Sequence, residues 1–502
     1  MTQNAQIDTT LPDRPAIPAR KPDPCVLVIF GATGDLAARK LIPALYHLAK
    51  NSSLPENFAV VGVSRSVSDA DAFRASLLES TRKFSRTKGV DEAVWADFGP
   101  RIFTVAGGGG NPDTYRNLRE TMDAIDGTHG TARNRLYYLA VAPSLFPSIL
   151  QQLKNAGLIY PAADHSAWSR VVIEKPLGAD LPSSKLLNSL IAEVLDESQT
   201  YRIDHYLGKE TVQNILVFRF ANSLFEPLWN QKYIDHVQVT VAEDLEVKNR
   251  GEFYDQIGVT RDIIQNHLLQ ILALVAMEPP GTLGANCIRD EKVKVIRSLR
   301  PIAVEEDVVV GQYQGYQEVS GVSPGSRTPT FLAARLMIDN WRWSGVPFYI
   351  RAGKGMSAKD TEVAIFFKSV PSVLFGRNTD LAPNCLILQI QPDEGISLRF
   401  SCKVPGDDLA IGDVSMDFAY NQGFHKQPGD AYERLLLDAM RGDATLFARR
   451  DEVEEAWKWL DPFNAWWENG QTPMPTYPLG QDGPEESQAI VARDAHLWRK
   501  LG

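Results

Sequence analysis

Cysteine is scarce: four stand in 502 residues (Cys25, Cys287, Cys385, Cys402), with no C-x-x-C pair and no metal-ligand spacing. That usage offers neither a disulfide framework nor a metal site, and it fits a reducing cytoplasm. Long apolar runs are also missing. No stretch approaches the length of a membrane span, so no membrane partner is expected. Positive charge is in deficit, with 52 basic against 62 acidic residues and a net charge of −10. A dedicated nucleic-acid binder needs the opposite balance, so no nucleic-acid partner is expected. An acidic chain that handles an anionic substrate must instead gather its cations locally in a pocket. Residues 1–24 are polar and proline-rich without an apolar core, and read as a mobile arm rather than a secretory signal. There are no internal repeats or low-complexity tracts.

A chain of this length exceeds one hydrophobic core and calls for two domains. Val26 to Phe30 is a short, continuously apolar run, as a buried parallel strand requires. It runs into Gly31-Ala32-Thr33-Gly34-Asp35-Leu36-Ala37 and then a helical stretch through Leu41, Leu45 and Leu48. Strand, glycine turn, helix is the context of a dinucleotide fingerprint. Gly31 permits the tight turn, Gly34 clears space for a pyrophosphate, Thr33 offers a hydroxyl, and Ala37 keeps helix and strand close. The spacing is G-x-x-G-x-x-A, and on that spacing alone a ligand-free turn fits equally well.

The next strand, Phe58 to Val63, ends in Ser64-Arg65-Ser66. An acid at this place binds a ribose 2′-hydroxyl, whereas an arginine accommodates a 2′-phosphate. Arg65 therefore points to NADP over NAD. Further buried strands are expected at Leu136 to Val141 and Arg170 to Ile173, the latter ending in Glu174-Lys175-Pro176. Ligands of doubly wound sheets sit at such strand ends. Lys175 is placed to donate hydrogen bonds to a substrate oxygen and the nicotinamide edge. E-K-P on its own marks a broad class of sugar oxidoreductases.

From about residue 236 the pattern changes. Val237, Val239 and Val241 alternate with polar residues, and Ile396 to Val404 is a period-two strand with one wet face. Phe331 to Ile338, Phe348 to Arg351 and Val363 to Phe367 add strand candidates. The expectation is an α/β N-terminal Rossmann-like domain, residues 25–203, joined to a larger α+β domain, residues 204–502. The second has a mostly antiparallel sheet backed by helices. Within it, residues 261–272 read as a helix whose Ile264, Leu268 and Ile271 form an apolar stripe, with His267 beside it. A lone histidine among leucines is more often a core residue than a base. His267 is one of only eight histidines, however, and Asp204 is available as a partner.

Asp204 belongs to Arg202-Ile203-Asp204-His205-Tyr206-Leu207-Gly208-Lys209-Glu210. If this run is helical from Asp204, His205 and Lys209 share a face at i and i+4, as a phosphate dianion would want, while Asp204 points elsewhere. A solvated helix face with an internal salt bridge is the plainer alternative for so short a run.

Taken in order, GATGDLA, VSR, EKP, RIDHYLGKE, RDIIQNHLLQ, RDEKVKV (289–295), GVPFYIRAGK (345–354), MDFAY (416–420) and DAYERLLLD (430–438) resemble the glucose-6-phosphate dehydrogenase family over nearly the whole chain after residue 25. The resemblance implies a cytoplasmic enzyme of the pentose phosphate pathway that oxidises glucose 6-phosphate with NADP and needs no metal. It implies that His267 is the general base and Asp204 its orienting partner. His205, Tyr206 and Lys209 would hold the 6-phosphate. Lys175, Glu243, Asp262 and Lys354 would fix the sugar, with Lys359 at a place where the family has arginine. Gly31, Ala32, Thr33, Gly34, Asp35, Leu36, Arg65 and Lys175 would bind the coenzyme. Eukaryotic relatives hold a second, structural NADP with basic residues on the large sheet. Here Arg351 remains, but Asp360, Ala364 and Gln389 stand where bases align, which counts against that site and makes the chain bacterial-like. A homodimer or homotetramer through the large sheet is implied as well. Two other readings remain open from the residues: a dehydrogenase of unphosphorylated sugars, and an NADPH-binding protein without turnover.

Overall fold

The computed structural model describes residues 20–502 apart from 67–68, 88, 165, 372, 375–380, 424–428 and 471–472, so most of the N-terminal arm lies outside the described residues. The apolar runs of the first half become β1 (Cys25–Phe30), β2 (Phe58–Ser64), β3 (Ile102–Ala106), β4 (Arg135–Leu139), β5 (Ser169–Ile173) and β6 (Thr200–Ile203). β1, β2 and β4 are buried at every position, which is why they carry no alternation. All six pair in parallel in the order β3-β2-β1-β4-β5-β6. The direction of winding reverses between β1 and β4, and the crevice at such a reversal is where doubly wound sheets bind ligands. Phe447–Ala448 adds an antiparallel edge beside β6, so the chain returns to its first sheet late in the sequence. The helix Ala431–Arg441 lies against this half through Arg86–Glu433 and Lys40–Asp430 ion pairs.

The second sheet contains β7 (Ile234–Ala242), β8 (Val308–Tyr313), β9 (Phe331–Met337), β10 (Pro347–Gly353), β11 (Asp360–Phe367), β12 (Cys385–Gln391), β13 (Gly395–Lys403) and β14 (Ile411–Ala419). With the short Thr476–Tyr477 strand it forms nine strands in the order β14-β13-β12-β11-β7-β10-β9-β8 and then Thr476–Tyr477. Pairing is antiparallel except at β7/β10 and at β8 with Thr476–Tyr477.

Three local expectations change. The polar side of β7 is buried as well, because the C-terminal segment lies over it: Gln238 donates to the Leu497 carbonyl at 2.8 Å and accepts from the Arg499 amide at 2.9 Å. The solvent-facing part of the sheet lies at its β13–β14 end, where Ile396 to Val404 was expected to have a wet face: β13 is partly exposed along most of its length and Met416 on β14 is 62% exposed. Asp204 to Lys209 is a series of turns, with helix beginning only at Glu210, so His205 and Lys209 do not meet through i,i+4 geometry. Gly208 shows one cause: a Cβ there would lie 2.8 Å from the Ala431 carbonyl, and this close approach of the helix Ala431–Arg441 holds the segment in its tight path. Finally, the helix carrying His267 is π-wound over Thr260–Leu268 and becomes α-helical at Leu269–Ala276. Such wide turns shift side chains out of the 3.6-residue register and recur at functional sites.

Candidate active site

The turn leaving β6 and the π-wound segment face each other, and Asp204 meets His267 between them. Their Oδ1 and Nδ1 lie 2.5 Å apart, and each side chain is only 3% exposed. Tyr206 stacks on the His267 ring at 4.4 Å and His205 meets it edge-on at 4.5 Å. Burial works to raise the Asp204 carboxyl, but the positive charge of His267, its hydrogen bond, and His205 and Lys175 outweigh burial and hold Asp204 at about 2. Burial also pulls His267 below the usual imidazole value, assisted by Lys175 and opposed by Asp204. Around neutral pH the pair is therefore a carboxylate and a neutral imidazole. The carboxylate can only accept, so Nδ1 carries the proton and Nε2 keeps its lone pair.

Beside this pair runs a ladder of alternating charge. Lys175, at the end of β5, donates to the Asp262 carbonyl (2.9 Å), to Asp262 Oδ1 (3.3 Å) and to His267 Nε2 (2.9 Å). Lys354, at the end of β10, reaches Asp262 Oδ2 at 3.2 Å and Glu243 Oε2 at 2.5 Å. Burial disfavours the ionised Asp262, yet the two lysines hold it well below the ordinary carboxylate value. Lys354 is likewise raised against burial by Asp262 and Glu243.

On the other side of His267, Lys209 Nζ lies 4.4 Å from the centre of the Tyr206 ring and bonds Gln391. Gln391 in turn donates to the Tyr206 hydroxyl at 3.1 Å and to Thr361 at 2.9 Å. Burial, then the charge of Lys359, pulls Lys209 down to about 8. His205 falls well below its usual value through burial and the charges of His267 and Lys175. The cations that a dianion needs are thus concentrated here, at a cost that an anion would relieve.

A cleft of about 640 Å³ takes in Lys175, His205, Tyr206, Glu243, Asp262, His267, Lys354 and Lys359, and it reaches Leu36, Ala140 and Val141 below the crevice of the first sheet. A neighbouring space of about 770 Å³ holds Asp35 and Lys209 and shares Leu36, His205, Arg250 and Gln391 with it. Gln391 and Arg250 were not picked out from the sequence. Gln391 precedes a proline at a strand end, and nothing in its spacing marks it.

At the crevice Gly31 has φ +84°, and a Cβ there would lie 2.3 Å from the Ala140 carbonyl. That conformation and that approach together demand glycine. Ala32 and Ala37 are buried against the sheet. The Thr33 hydroxyl bonds Ser64 at 2.8 Å and Ser66 at 3.3 Å, and the exposed Arg65 lies along Gly108 and forms no ion pair among the described residues. Asp35 pairs with Arg39 at 3.4 Å and Arg250 at 3.8 Å. A glycine cradle, hydroxyls and an unpaired guanidinium fit a dinucleotide bearing an extra phosphate. Asp204, His205 and His267 also bring ligand-type atoms within 4.8 Å of one another, but the Asp204–His267 contact is a direct hydrogen bond and leaves no gap for a cation.

Comparison with known proteins points to one family. The family profile described as "Glucose-6-phosphate dehydrogenase, NAD binding domain" matches residues 28–214, and "Glucose-6-phosphate dehydrogenase, C-terminal domain" matches residues 216–499. A glucose-6-phosphate 1-dehydrogenase of Chlamydia pneumoniae is 44% identical over 494 residues, covering 95% of this chain and 96% of its own. That of Bacillus subtilis (strain 168) is 42% identical over 487 residues, covering 94% and 98%. A glucose-6-phosphate dehydrogenase solved in complex with its substrate glucose-6-phosphate shares the fold at TM-score 0.88 and 34% identity, covering 96% of this chain and all of that one (100%). The Mycobacterium avium glucose-6-phosphate 1-dehydrogenase structure gives TM-score 0.82 at 39% identity, covering 95% and 99%. Two family profiles laid end to end, full-length relatives and a shared two-sheet fold lead to one conclusion: this chain belongs to the glucose-6-phosphate dehydrogenase family.

Proposed function

We propose that the protein oxidises C1 of D-glucose 6-phosphate with NADP⁺, giving 6-phospho-D-glucono-1,5-lactone and NADPH, with His267 as general base. The observation that carries this reading is the buried His267–Asp204 contact at a cleft that also takes in Lys175, Lys354 and Lys359 and reaches the glycine crevice. NADP⁺, held by the glycine crevice and Arg65, would supply the acceptor for the hydride of C1. His267 Nε2 takes the hydroxyl proton, and Asp204 stabilises the imidazolium that results. General-base assistance of this kind contributes about 10²–10⁴-fold. His205, Tyr206 and Lys209 hold the 6-phosphate, with Lys359 adding charge at its edge. Lys175, Glu243, Asp262 and Lys354 orient the sugar. Hydride and proton have separate acceptors, so the reading calls for no metal.

The coenzyme is NADP by this reading because Arg65 and the mutually bonded Thr33, Ser64 and Ser66 hydroxyls gather at the end of β2, where a doubly wound fold handles the ribose of its dinucleotide. A second NADP on the large sheet is not part of it. Arg351 is already engaged by the C-terminal segment, bonding the Arg499 carbonyl with its guanidinium 4.9 Å from the Trp498 ring. We also place the enzyme in the cytoplasm as a homodimer or homotetramer. Support comes from the free cysteines and from the exposed apolar residues of β14, Val414 and Met416. No described helix is long and apolar enough to cross a membrane.

The test is cofactor reduction with glucose 6-phosphate or glucose, each with NADP or NAD, for the wild type and His267→Asn. Turnover confined to the phosphorylated sugar, faster with NADP and collapsed in the variant, is the expected result. Comparable rates with glucose would move the protein to a broader sugar dehydrogenase. Binding of NADP without turnover would leave only the silent-binder reading.

A further inference from the structure

Counting hydrogen-bond donors around Lys175 leads to a constraint on how the reaction begins. An ammonium has three N–H donors. Lys175 spends one on the Asp262 carbonyl, one on Asp262 Oδ1 and one on His267 Nε2. His267 is equally committed, with Nδ1 on Asp204 and Nε2 accepting from Lys175. In this state neither group has a free valence for a substrate. The lone pair that would act as the base is covered by the lysine that would bind the sugar.

We propose that Lys175 masks His267 in the free enzyme, and that the reacting hydroxyl of the substrate unmasks it by inserting between them. The oxygen then accepts from Lys175 Nζ while its O–H donates to His267 Nε2. The inference rests on the reading of His267 as base. The exchange replaces one hydrogen bond by two, and Lys175 can back away because its side chain is 29% exposed and two of its three donors stay on Asp262. Insertion also arranges the chemistry. As the O–H bond breaks and an N–H forms on His267, the C1–H electron pair leaves for the coenzyme and C1=O forms. The ammonium of Lys175 meanwhile sits on the oxygen that gains charge. A sugar without that hydroxyl has nothing to insert, so binding alone would not prepare the base.

The charged and titratable groups facing His267 are Asp204, His205 and Tyr206 from the turn after β6, Asp262 from its own segment, and Lys175 from β5. Of these, Lys175 is the one whose distance from His267 the substrate would change. A charge in direct contact moves a titration by about one to three pH units.

The experiment follows His267 titration by NMR of ¹⁵N-histidine-labelled enzyme, its signal assigned by loss in His267→Asn. Lys175→Met should move the titration upward by about one pH unit or more, and Lys175→Arg, which keeps the cation, should leave it near the wild-type position. In the wild type without coenzyme, glucose 6-phosphate should raise the titration more than its 1-deoxy analogue, which carries the same phosphate but lacks the hydroxyl. An unmoved titration in Lys175→Met, or equal shifts with the two sugars, would overturn the mask. Failure of the base reading looks different: His267→Asn would then retain turnover, whatever the titrations show.

Discussion

Replacing Asp204 by asparagine removes one charge, keeps the shape, and tests the catalytic pair directly. In the resting state Asp204 accepts a hydrogen bond from His267 Nδ1–H across 2.5 Å, and both groups are almost fully enclosed. As His267 takes the substrate proton it becomes a cation. With charge centres about 4 Å apart and an effective dielectric constant near 20, the carboxylate stabilises that cation by about 4 kcal/mol. Losing it corresponds to about a 10³-fold fall in kcat at 1.4 kcal/mol per decade. An asparagine amide turned toward Nδ1 would add to the loss by forcing the proton onto Nε2, the wrong tautomer for a base. The KM for glucose 6-phosphate should change little, because Asp204 stands behind His267 and does not line the cleft. Steady-state cofactor reduction gives both constants. A kcat within tenfold of wild type would refute the electrostatic argument, and a loss carried mainly by KM would mean that Asp204 acts on substrate binding.

Lys209 titrates near 8; its charge is present below that pH and lost above it, so the KM for glucose 6-phosphate should rise above about pH 8. Lys359→Ala, which removes a neighbouring like charge, should push that rise to higher pH. Lys209→Arg should abolish it, and a KM flat with pH in the wild type would count against the clamp. Arg65→Ala should weaken NADP far more than NAD in kcat/KM; equal losses would mean that the guanidinium does not meet a 2′-phosphate. Gly31→Ala puts a Cβ 2.3 Å from the Ala140 carbonyl at φ +84°, a backbone cost of about 1–2 kcal/mol before the clash is counted. Calorimetry should find Tm lowered by several degrees with NADP binding weakened, and a wild-type Tm would contradict the packing. Met416→Lys on β14 should shift the assembly toward monomer in sedimentation, whereas an unchanged mass would move the interface elsewhere.

The first half of the molecule was legible because its physics is local. A parallel strand covered on both faces must be apolar throughout, and a chain turning at positive φ under another strand must place glycine there. β1, β2 and Gly31 therefore announce themselves. Arg65 stands out too, as the residue at the end of β2, where a doubly wound sheet handles the ribose of a dinucleotide. The family's motifs placed His267 and Asp204 together, 63 positions apart, which periodicity could not have done.

The amino-acid sequence by itself thus determined the two-sheet plan, the glycine crevice and the types of residue the site uses. It did not determine how those residues meet. The run from Asp204 to Lys209 brings His205, Tyr206 and Lys209 to the site through turns under the helix Ala431–Arg441 and through Gln391, partners nearly two hundred positions away or more. The segment bearing His267 is π-wound, so helical spacing misplaces its side chains. The polar side of β7 is dry because the C-terminal segment covers it. The contact between Lys175 and His267 joins two different elements, and neither neighbourhood in sequence hints at it. In each case the deciding contact is long-range, and a local pattern can report only the preferences that tertiary packing then overrides.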